Sequence, residues 1–175
     1  AAEHIIRAAG KRGLRGSIIR PGYVTGASYN GSSNTDDFLL RFLKSAVQFG
    51  KIPDINNTVN MVPVDQVARV VVAASINPPC GDDLCVVHVN AHPRIIFKDY
   101  LYELKNYGYD VEIENYEQWK KTLEEAVIER SEDNALFPLL HMVLGDLEDS
   151  TKAPELDDKN AITSLRADIE WTNED

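Results

Sequence analysis

The sequence predicts an α/β fold, and three features carry that prediction. The apolar runs at 17–19 and 84–89 are short enough to be buried strands. Residues 38–49 place apolar side chains at helical spacing on one face. The turn at residues 20–24 leaves the first strand at its carboxyl end, where ligands bind in open α/β sheets. We therefore expect alternating strands and helices, with a candidate site at this turn.

Caps, chain breakers and apolar spacing define the other elements. Thr35 or Asp36 is expected to cap the helix at 38–49, and Gly50 to end it. Asp65 is expected to be the N-cap of the helix that follows. The predicted helices are 1–9, 38–49, 66–75, 97–106, 116–129, 135–144 and a short one at 160–169, and the predicted strands are 17–19, 84–89 and 111–113.

Length and composition predict a globular piece with an acidic tail. The chain has 175 residues, 43% of them apolar, which suffices for one domain with a core. Its apolar runs are shorter than the roughly 20 residues of a transmembrane helix, so we expect no membrane partner. The net charge of −10 argues against nucleic acid. Residues 146–175 hold ten acids and three bases, so we expect a domain at 1–145 and an acidic, partly flexible tail at 146–175.

The two cysteines favour a reducing compartment. Two cysteines do not make the disulfide framework of a secreted domain, so the predicted location is cytoplasmic. With His88 and His92, Cys80 and Cys85 give a spacing that looks like a metal site but matches no zinc module. We therefore interpret both cysteines as ordinary strand and loop residues and predict no metal site.

Two further motifs have the spacing of functional motifs in the wrong context. Gly10, Gly13 and Gly16 match a dinucleotide-binding loop, but they follow a helix and open a strand, the reverse of the required order. Tyr116 and Lys120 match the catalytic Tyr-x-x-x-Lys pair. We interpret the first motif as a chain reversal and the second as part of an amphipathic helix whose Tyr116 faces inward.

Residues 20–24, here called the strand-end segment, form the candidate cofactor site. The run from Arg20 to Gly26 reads R-P-G-Y-V-T-G and resembles the nicotinamide-side loop of the extended short-chain dehydrogenase/reductase superfamily. Pro21 fixes φ, and Gly22 lets the backbone approach a flat ring. Backbone groups here would hold the nicotinamide carboxamide, and Gly22→Val would weaken catalysis without unfolding the domain. The alternative is a tight turn with no ligand.

Nearly the whole chain resembles the reductase domain of the fungal L-2-aminoadipate reductases, a family of thioester reductases. The matching blocks are residues 5–16, 19–28, 31–44, 51–55, 60–73, 92–102, 107–114 and 152–158. The resemblance implies the C-terminal half of a Rossmann-like extended short-chain reductase, with a mostly helical substrate-binding subdomain.

The resemblance also implies an activity. The family's multidomain enzyme adenylates aminoadipate and loads it on the phosphopantetheine arm of a carrier domain in the same polypeptide. The reductase domain then uses NADPH to release it as the semialdehyde in fungal lysine biosynthesis. The family's catalytic Tyr-x-x-x-Lys pair is expected upstream of Ala1, so no catalytic residue is predicted in this chain, and the chain alone is expected to be inactive.

The resemblance assigns site residues to two groups. The cofactor wall is Arg20, Pro21, Gly22, Tyr23 and Val24, and the substrate-binding candidates are Asn34, Asp37, Arg41, Met61, Val62 and Asp65. Three candidates have a structural alternative. Asp37 and Asp65 suit helix N-termini, and Arg41 either pairs with a nearby acid or meets the substrate carboxylate.

Two other functions stay open at this point. One is a sugar-nucleotide epimerase or a related extended reductase. The other is a non-enzymatic module that senses a dinucleotide. A Tyr-x-x-x-Lys pair upstream of Ala1 would favour an enzyme, and a carrier domain further upstream would favour the thioester reductase.

Overall fold

Helices and parallel strand pairs alternate along the chain. The structure is a computed structural model that describes residues 2–81, 83–130, 134–145, 147–150 and 152–172. The helices are α1 (Ala2–Gly10), α2 (Phe38–Phe49), α3 (Val64–Ile76), α4 (Phe97–Tyr102), α5 (Tyr116–Arg130), α6 (Leu140–Gly145), α7 (Leu147–Ser150) and α8 (Lys159–Thr172), with 3-10 turns at Glu103–Tyr107 and Phe137–Leu139. The strands are β1 (Ser17–Pro21), β2 (Tyr23–Thr25), β3 (Lys51–Pro53), β4 (Thr58–Val59), β5 (Met61–Pro63), β6 (Cys85–Val89), β7 (Ile95–Ile96) and β8 (Glu112–Glu114). The predicted α/β class is confirmed.

The chain divides into two units, each built from separated segments. Unit 1 comprises Ala1–Ser33, Asn60–Pro93 and Pro154–Asp175. Unit 2 comprises Asn34–Val59 and Arg94–Ala153.

Unit 1 is organised around two parallel strand pairs. β1 pairs with β6 from Ser17 opposite Cys85 to Pro21 opposite Val89, and β2 pairs with β5. Helices α3 and α8 pack together beside these strands. The buried core residues are Val62, Val70, Ala74, Val87, Val89 and Ala161.

Unit 2 has an aromatic core. β3 pairs in parallel with β8, and β4 pairs with β7 in antiparallel. The ring of Phe42 stacks on Trp119 with centroids 5.5 Å apart and meets Phe97 edge-on at 5.2 Å. These three side chains are almost fully buried, so this stack is the centre of the unit.

Helix α2 has the predicted bounds, but both predicted N-caps need correction. Asp37, rather than Thr35 or Asp36, caps α2, and Gly50 ends it in the left-handed conformation as expected. Asp65 is not the N-cap of α3, because this helix begins at Val64 and Pro63 holds the capping position.

The C-terminal region contains a helix that packs within unit 1. The predicted short helix at 160–169 is present as the longer α8, whose Ala161 and Ser164 are buried within unit 1. The hydroxyl of Ser164 donates to the carbonyl of Asn77 at 2.8 Å. Ala161 and Ser164 therefore attach α8 to unit 1, while the domain boundary at 145 stays a prediction.

Cys80 and Cys85 form a disulfide, whereas the sequence predicts two ordinary, unlinked residues. The turn at Gly81 (φ +60) brings their Cα atoms to 6.1 Å, a separation that a disulfide spans. The cytoplasmic location stays a prediction. Within the described ranges no group of three or more histidine, cysteine or acidic residues could hold a metal ion, and no helix is long and apolar enough to cross a membrane.

Candidate functional site

The strand-end segment lies at the carboxyl ends of β1 and β6. Arg20 and Pro21 end β1, and Tyr23 and Val24 open β2. These four residues are exposed, with Tyr23 and Val24 each at 39%. The segment therefore presents a surface of apolar and aromatic groups at the edge where α/β sheets bind ligands.

Asn60 leaves no space for a side chain at position 22, so this position requires glycine. A Cβ atom on Gly22 would stand 2.3 Å from the carbonyl oxygen of Asn60 and 2.6 Å from its side-chain Cγ. Since Asn60 occupies the space beside Gly22, we expect Gly22→Val to strain the fold here, and the effect of this substitution on catalysis stays a prediction.

The two central N–H groups of the segment are already hydrogen-bonded. Gly22 donates to the carbonyl of Val89 at 3.1 Å, and Tyr23 donates to the carbonyl of Asn60 at 2.7 Å. These N–H groups therefore do not hold a carboxamide, which corrects part of the sequence interpretation. A ligand at this edge meets side chains or carbonyl oxygens instead.

Two buried asparagines stand behind the segment, and the sequence analysis missed both. Asn60 donates through Nδ2 to Oδ1 of Asn90 at 3.0 Å and accepts from the N–H of Ala91 at 2.8 Å. Asn90 donates in turn to the carbonyl of Leu156 at 2.7 Å. Their position beside the strands could have identified them in the sequence, since Asn60 directly precedes β5 and Asn90 directly follows β6.

Arg20 is held by Glu3 of α1. Its guanidinium donates to Glu3 Oε2 through Nη2 at 2.7 Å and through Nε at 3.1 Å. Hydrogen bonds from Arg20 and then Arg7 lower the pKa of Glu3 to about 2. Nη1 of Arg20 also lies 3.4 Å from Nε2 of His88, whose Nδ1 lies 3.1 Å from the carbonyl of Asp157. The side chain of Arg20 thus links α1 to the end of β1.

Met61 and Val62 lie beside the strand-end segment but face the interior. In the register of β2 and β5, Tyr23 is opposite Met61 and Val24 is opposite Val62. Met61 is 5% exposed and Val62 is fully buried in the core of unit 1. Their predicted contact with substrate stays a prediction, and Val62 can contribute only through its backbone.

Asp65 orders the loop that follows β2. Its carboxylate accepts from the N–H of Ser28 at 2.8 Å and from the Ser28 hydroxyl at 2.7 Å. These two bonds lower the pKa of Asp65, so it is a carboxylate at neutral pH. Asp65 thus joins the first turn of α3 to the loop at 26–33.

The other substrate candidates lie at the start of α2 in unit 2. Asn34 accepts from the N–H of Asp36 at 3.0 Å, and Asp37 accepts from the N–H of Leu39 at 2.9 Å. Nη2 of Arg41 lies 2.6 Å from Oδ1 of Asp36. Each structural alternative for Asp37 and Arg41 is thus present, and their contact with substrate stays a prediction.

Tyr100 is an additional titratable group near Asp37. Burial, together with the negative charge of Asp37, raises the pKa of Tyr100 to about 12. At neutral pH the tyrosine therefore keeps its proton and can act only as a hydrogen-bond donor or acceptor.

The Tyr-x-x-x-Lys motif formed by Tyr116 and Lys120 has a structural role. The buried Tyr116 donates its hydroxyl to the carbonyl of Val143 at 3.1 Å, and burial raises its pKa. Lys120 lies over its ring at 4.6 Å and pairs with Glu117 at 2.7 Å. A catalytic tyrosine needs a lowered pKa, so this pair is unsuited to proton transfer.

The glycines at 10–16 form the predicted chain reversal. Gly13 and Gly16 have φ values of +98 and +137 and lead directly into β1. The segment opens a strand and therefore provides no helix N-terminus for a pyrophosphate.

The chain is similar to known reductases over its whole length. The family model described as "Male sterility protein", an NAD-binding family, matches residues 1–71. The L-2-aminoadipate reductase large subunit of Candida glabrata is 99% identical over all 175 residues, and the L-2-aminoadipate reductase of Saccharomyces cerevisiae is 71% identical over the same span. The chain spans 13% of the length of each of these relatives.

A solved structure agrees with this similarity. The terminal R domain from the myxalamid PKS-NRPS biosynthetic pathway matches with a TM-score of 0.71 and 27% identity. The match covers 98% of this chain and 48% of that domain. The chain therefore has the fold of about half of such a reductase domain.

Proposed function

This chain belongs to the L-2-aminoadipate reductase family as one segment of its members, and we propose that it forms part of the thioester reductase of such an enzyme. The reaction is the release of carrier-bound L-2-aminoadipate as its semialdehyde, in lysine biosynthesis, with NADPH as reductant. The identity over the whole chain is the observation that carries this proposal. The strand-end segment is its site within this chain.

The strand-end segment fits one face of a nicotinamide ring. Pro21, Tyr23 and Val24 are exposed together at the carboxyl ends of the strands, and such side chains pack well against a flat ring. When bound, the nicotinamide supplies a hydride to the thioester carbonyl. Arg20 is fixed by Glu3 and keeps the end of β1 in place.

Residues of this chain border the site but do not supply its acid. Tyr116 and Lys120 form the one Tyr-x-x-x-Lys pair in the sequence, and they are used in packing. The proton donor and the pyrophosphate-binding loop therefore belong to other parts of the enzyme in this proposal. We expect the 175-residue chain alone to show no NADPH-dependent turnover.

The substrate in this proposal is a thioester on a phosphopantetheine arm of a carrier domain in the same polypeptide. The similarity to a terminal R domain of a PKS-NRPS pathway supports this assignment. Asn34, Asp37 and Arg41 are proposed to border the substrate, with Met61, Val62 and Asp65 near the cofactor wall. Since Arg41 is paired with Asp36, binding a substrate carboxylate would require Arg41 to exchange one partner for another.

The test compares matched substitutions in the full-length enzyme, one in β2 and one in the loop that precedes β1. Val24→Asp places a charge on the proposed cofactor wall, and Leu14→Asp places one on a residue of similar exposure before the amino end of β1. Semialdehyde release from the loaded carrier is measured with NADPH and with NADH. We expect Val24→Asp to lower kcat/KM for NADPH at least tenfold and Leu14→Asp to leave it unchanged.

Each contrary outcome has a distinct meaning. An unsubstituted enzyme that releases no semialdehyde with NADPH would refute the reductase proposal. Conversion of a nucleotide sugar by that enzyme would instead support the epimerase hypothesis. Equal effects of the two substitutions would remove the strand-end segment from the site.

A further inference from the structure

Asn60 and Asn90 form a buried amide pair in unit 1, where β6 ends and β5 begins. They are 7% and 4% exposed. Each amide both donates and accepts: Asn60 binds Asn90 and Ala91, and Asn90 binds Asn60 and Leu156. Buried amides are tolerated only when they are hydrogen-bonded in this way, so the pair has a defined geometry.

One member of the pair, Asn60, is in direct contact with the backbone of the strand-end segment. The main-chain carbonyl of Asn60 accepts the N–H of Tyr23, and its side chain fills the space where a Cβ of Gly22 would stand. The Ala91 N–H bond to Asn60 and the Gly22 N–H bond to Val89 tie the same segment to the end of β6. The position of Gly22 and Tyr23 therefore depends on Asn60 both through hydrogen bonding and through steric contact.

Residues 156–158 extend this arrangement along β6. The carbonyl of Leu156 accepts from Asn90, the carbonyl of Asp157 lies 3.1 Å from His88 Nδ1, and the carboxylate of Asp158 lies 2.7 Å from His92 Nε2. This segment therefore runs beside the end of β6 and provides the last acceptor of the amide pair.

We propose that Asn60 and Asn90 are positioning residues of the reductase site, and that Leu156 completes their hydrogen-bonded chain. The inference rests on the proposed function, since it assigns the strand-end segment to the cofactor. The two amides fix the position of Gly22 and Tyr23, and this position sets how the strand-end segment contacts the nicotinamide ring. A misplacement of about 1 Å at a reacting centre lowers rates on the order of 100-fold, so the loss of either amide affects the chemical step.

The test uses the full-length enzyme with Asn60→Ala and Asn90→Ala, and Ser164→Ala as control. Ser164 is also buried in unit 1, and its alanine variant loses the hydrogen bond to Asn77, which lies at the end of α3. The measurements are KM for NADPH, kcat for semialdehyde release, and the isotope effect with NADPH deuterated at the transferred position. Adenylation of aminoadipate by the same polypeptide reports the amount of intact enzyme.

We expect each asparagine variant to lower kcat/KM at least tenfold and to raise the isotope effect, because hydride transfer becomes slower. Ser164→Ala is expected to keep the parent KM and isotope effect. A purely structural role would reduce only the active fraction and would leave both values unchanged. That result in the asparagine variants would overturn the proposal.

A second variant covers the case in which an alanine variant does not fold. Asn90→Ser keeps a small polar side chain that can still accept from Asn60, it adds no charge, and it is too short to keep the hydrogen bond to Leu156. We expect a raised KM or isotope effect here too, and parent values would overturn the proposal. Release of semialdehyde by the unsubstituted enzyme tests the proposed function separately, so the two failures are distinguishable.

Discussion

At the scale of single residues, Gly22 carries a strong steric constraint. A Cβ at this position would stand 2.3 Å from the backbone oxygen of Asn60. Either the segment that holds Gly22 or the segment that holds Asn60 must therefore move. Overpacking of this kind costs about 1–3 kcal/mol. We therefore expect Gly22→Ala to lower the free energy of unfolding of the chain by that amount, measured by urea denaturation.

Gly145 provides the matched control for this substitution. Among the described residues, apart from its chain neighbours and the backbone of its own helix, no atom lies within 4 Å of the position of its added Cβ, and its φ is not in the left-handed region. Gly145→Ala should change the free energy of unfolding by less than about 0.5 kcal/mol. Equal stability of the two variants would show that Asn60 does not restrict Gly22.

Glu3 gives a pH-dependent prediction at the same scale. Hydrogen bonds from Arg20 and then Arg7 lower the pKa of Glu3 from its ordinary value of 4.5 to about 2. Its ion pairs therefore stabilise the fold above about pH 4.5, and this contribution is lost as the pH falls towards 2. We expect Glu3→Gln to lower Tm at pH 7 and the difference from the parent to shrink between pH 4.5 and 3.

Salt provides the control for Glu3. Both partners are partly exposed, so 0.5 M sodium chloride at pH 7 should also reduce the difference in Tm. A difference that is independent of both pH and salt would mean that Glu3 acts through packing of α1 and not through its charge.

The residue scale also shows what a single sequence can identify. The turn residues and the apolar wall at 20–24 could be located, because Pro, Gly and the strand before them are local signals. The reason for Gly22 could not, since Asn60 and Asn90 reach it through pairing of strands that are distant in sequence. The pairing of Arg20 with Glu3 could not be predicted either, because Glu3 lies on another element, and the contact of Arg20 with the cofactor stays a prediction.

At the scale of elements, the start of α2 decides between two roles for Asp37. As an N-cap it accepts from the N–H of Leu39, and replacing an N-cap by alanine costs about 0.5–2 kcal/mol. We expect Asp37→Ala to lose about 1 kcal/mol in urea denaturation and Asp37→Asn to lose little, because asparagine also caps helices.

Asp36→Ala is the control, and enzyme kinetics separate the two roles. It removes the exposed pair with Arg41 and should cost no more than about 1 kcal/mol. If Asp37→Asn keeps stability but raises KM for the carrier-bound thioester in the full-length enzyme, Asp37 contacts substrate as well. Unchanged KM would leave Asp37 as a cap alone.

Long elements were more predictable than short ones. The helix α2 has its predicted bounds because its apolar face, its polar start and Gly50 all act locally. The strands β3, β4 and β7 have only two or three residues and depend on partners elsewhere in unit 2, so no periodicity marks them. The helix α3 begins at Val64, earlier than predicted, because the φ of Pro63 suits the residue just before a helix.

At the scale of the whole molecule, each of the two units is built from segments that are separated in the sequence. Unit 1 takes residues from the beginning, the middle and the end of the sequence. Residues 146–175 were predicted to be a tail because they are acidic. Charged side chains are mostly exposed, so the charge of a segment does not indicate which of its residues are buried. Ala161 and Ser164 are neutral and small, and they are the residues that α8 buries in unit 1.

The last prediction tests whether the segment after residue 153 is needed for unit 1 to form. A chain ending at 153 keeps all of unit 2 but lacks Ala161 from the core of unit 1 and Leu156 as the acceptor of Asn90. We expect it to lose hydrogen-exchange protection in β1 and β6 while the aromatic core of unit 2 stays protected. In the complete chain, Ala161→Asp buries a charge and should cost more than about 2 kcal/mol, whereas Ile162→Asp, at a position 39% exposed, should cost much less. Full protection of β1 and β6 in the shortened chain would show that unit 1 forms without α8.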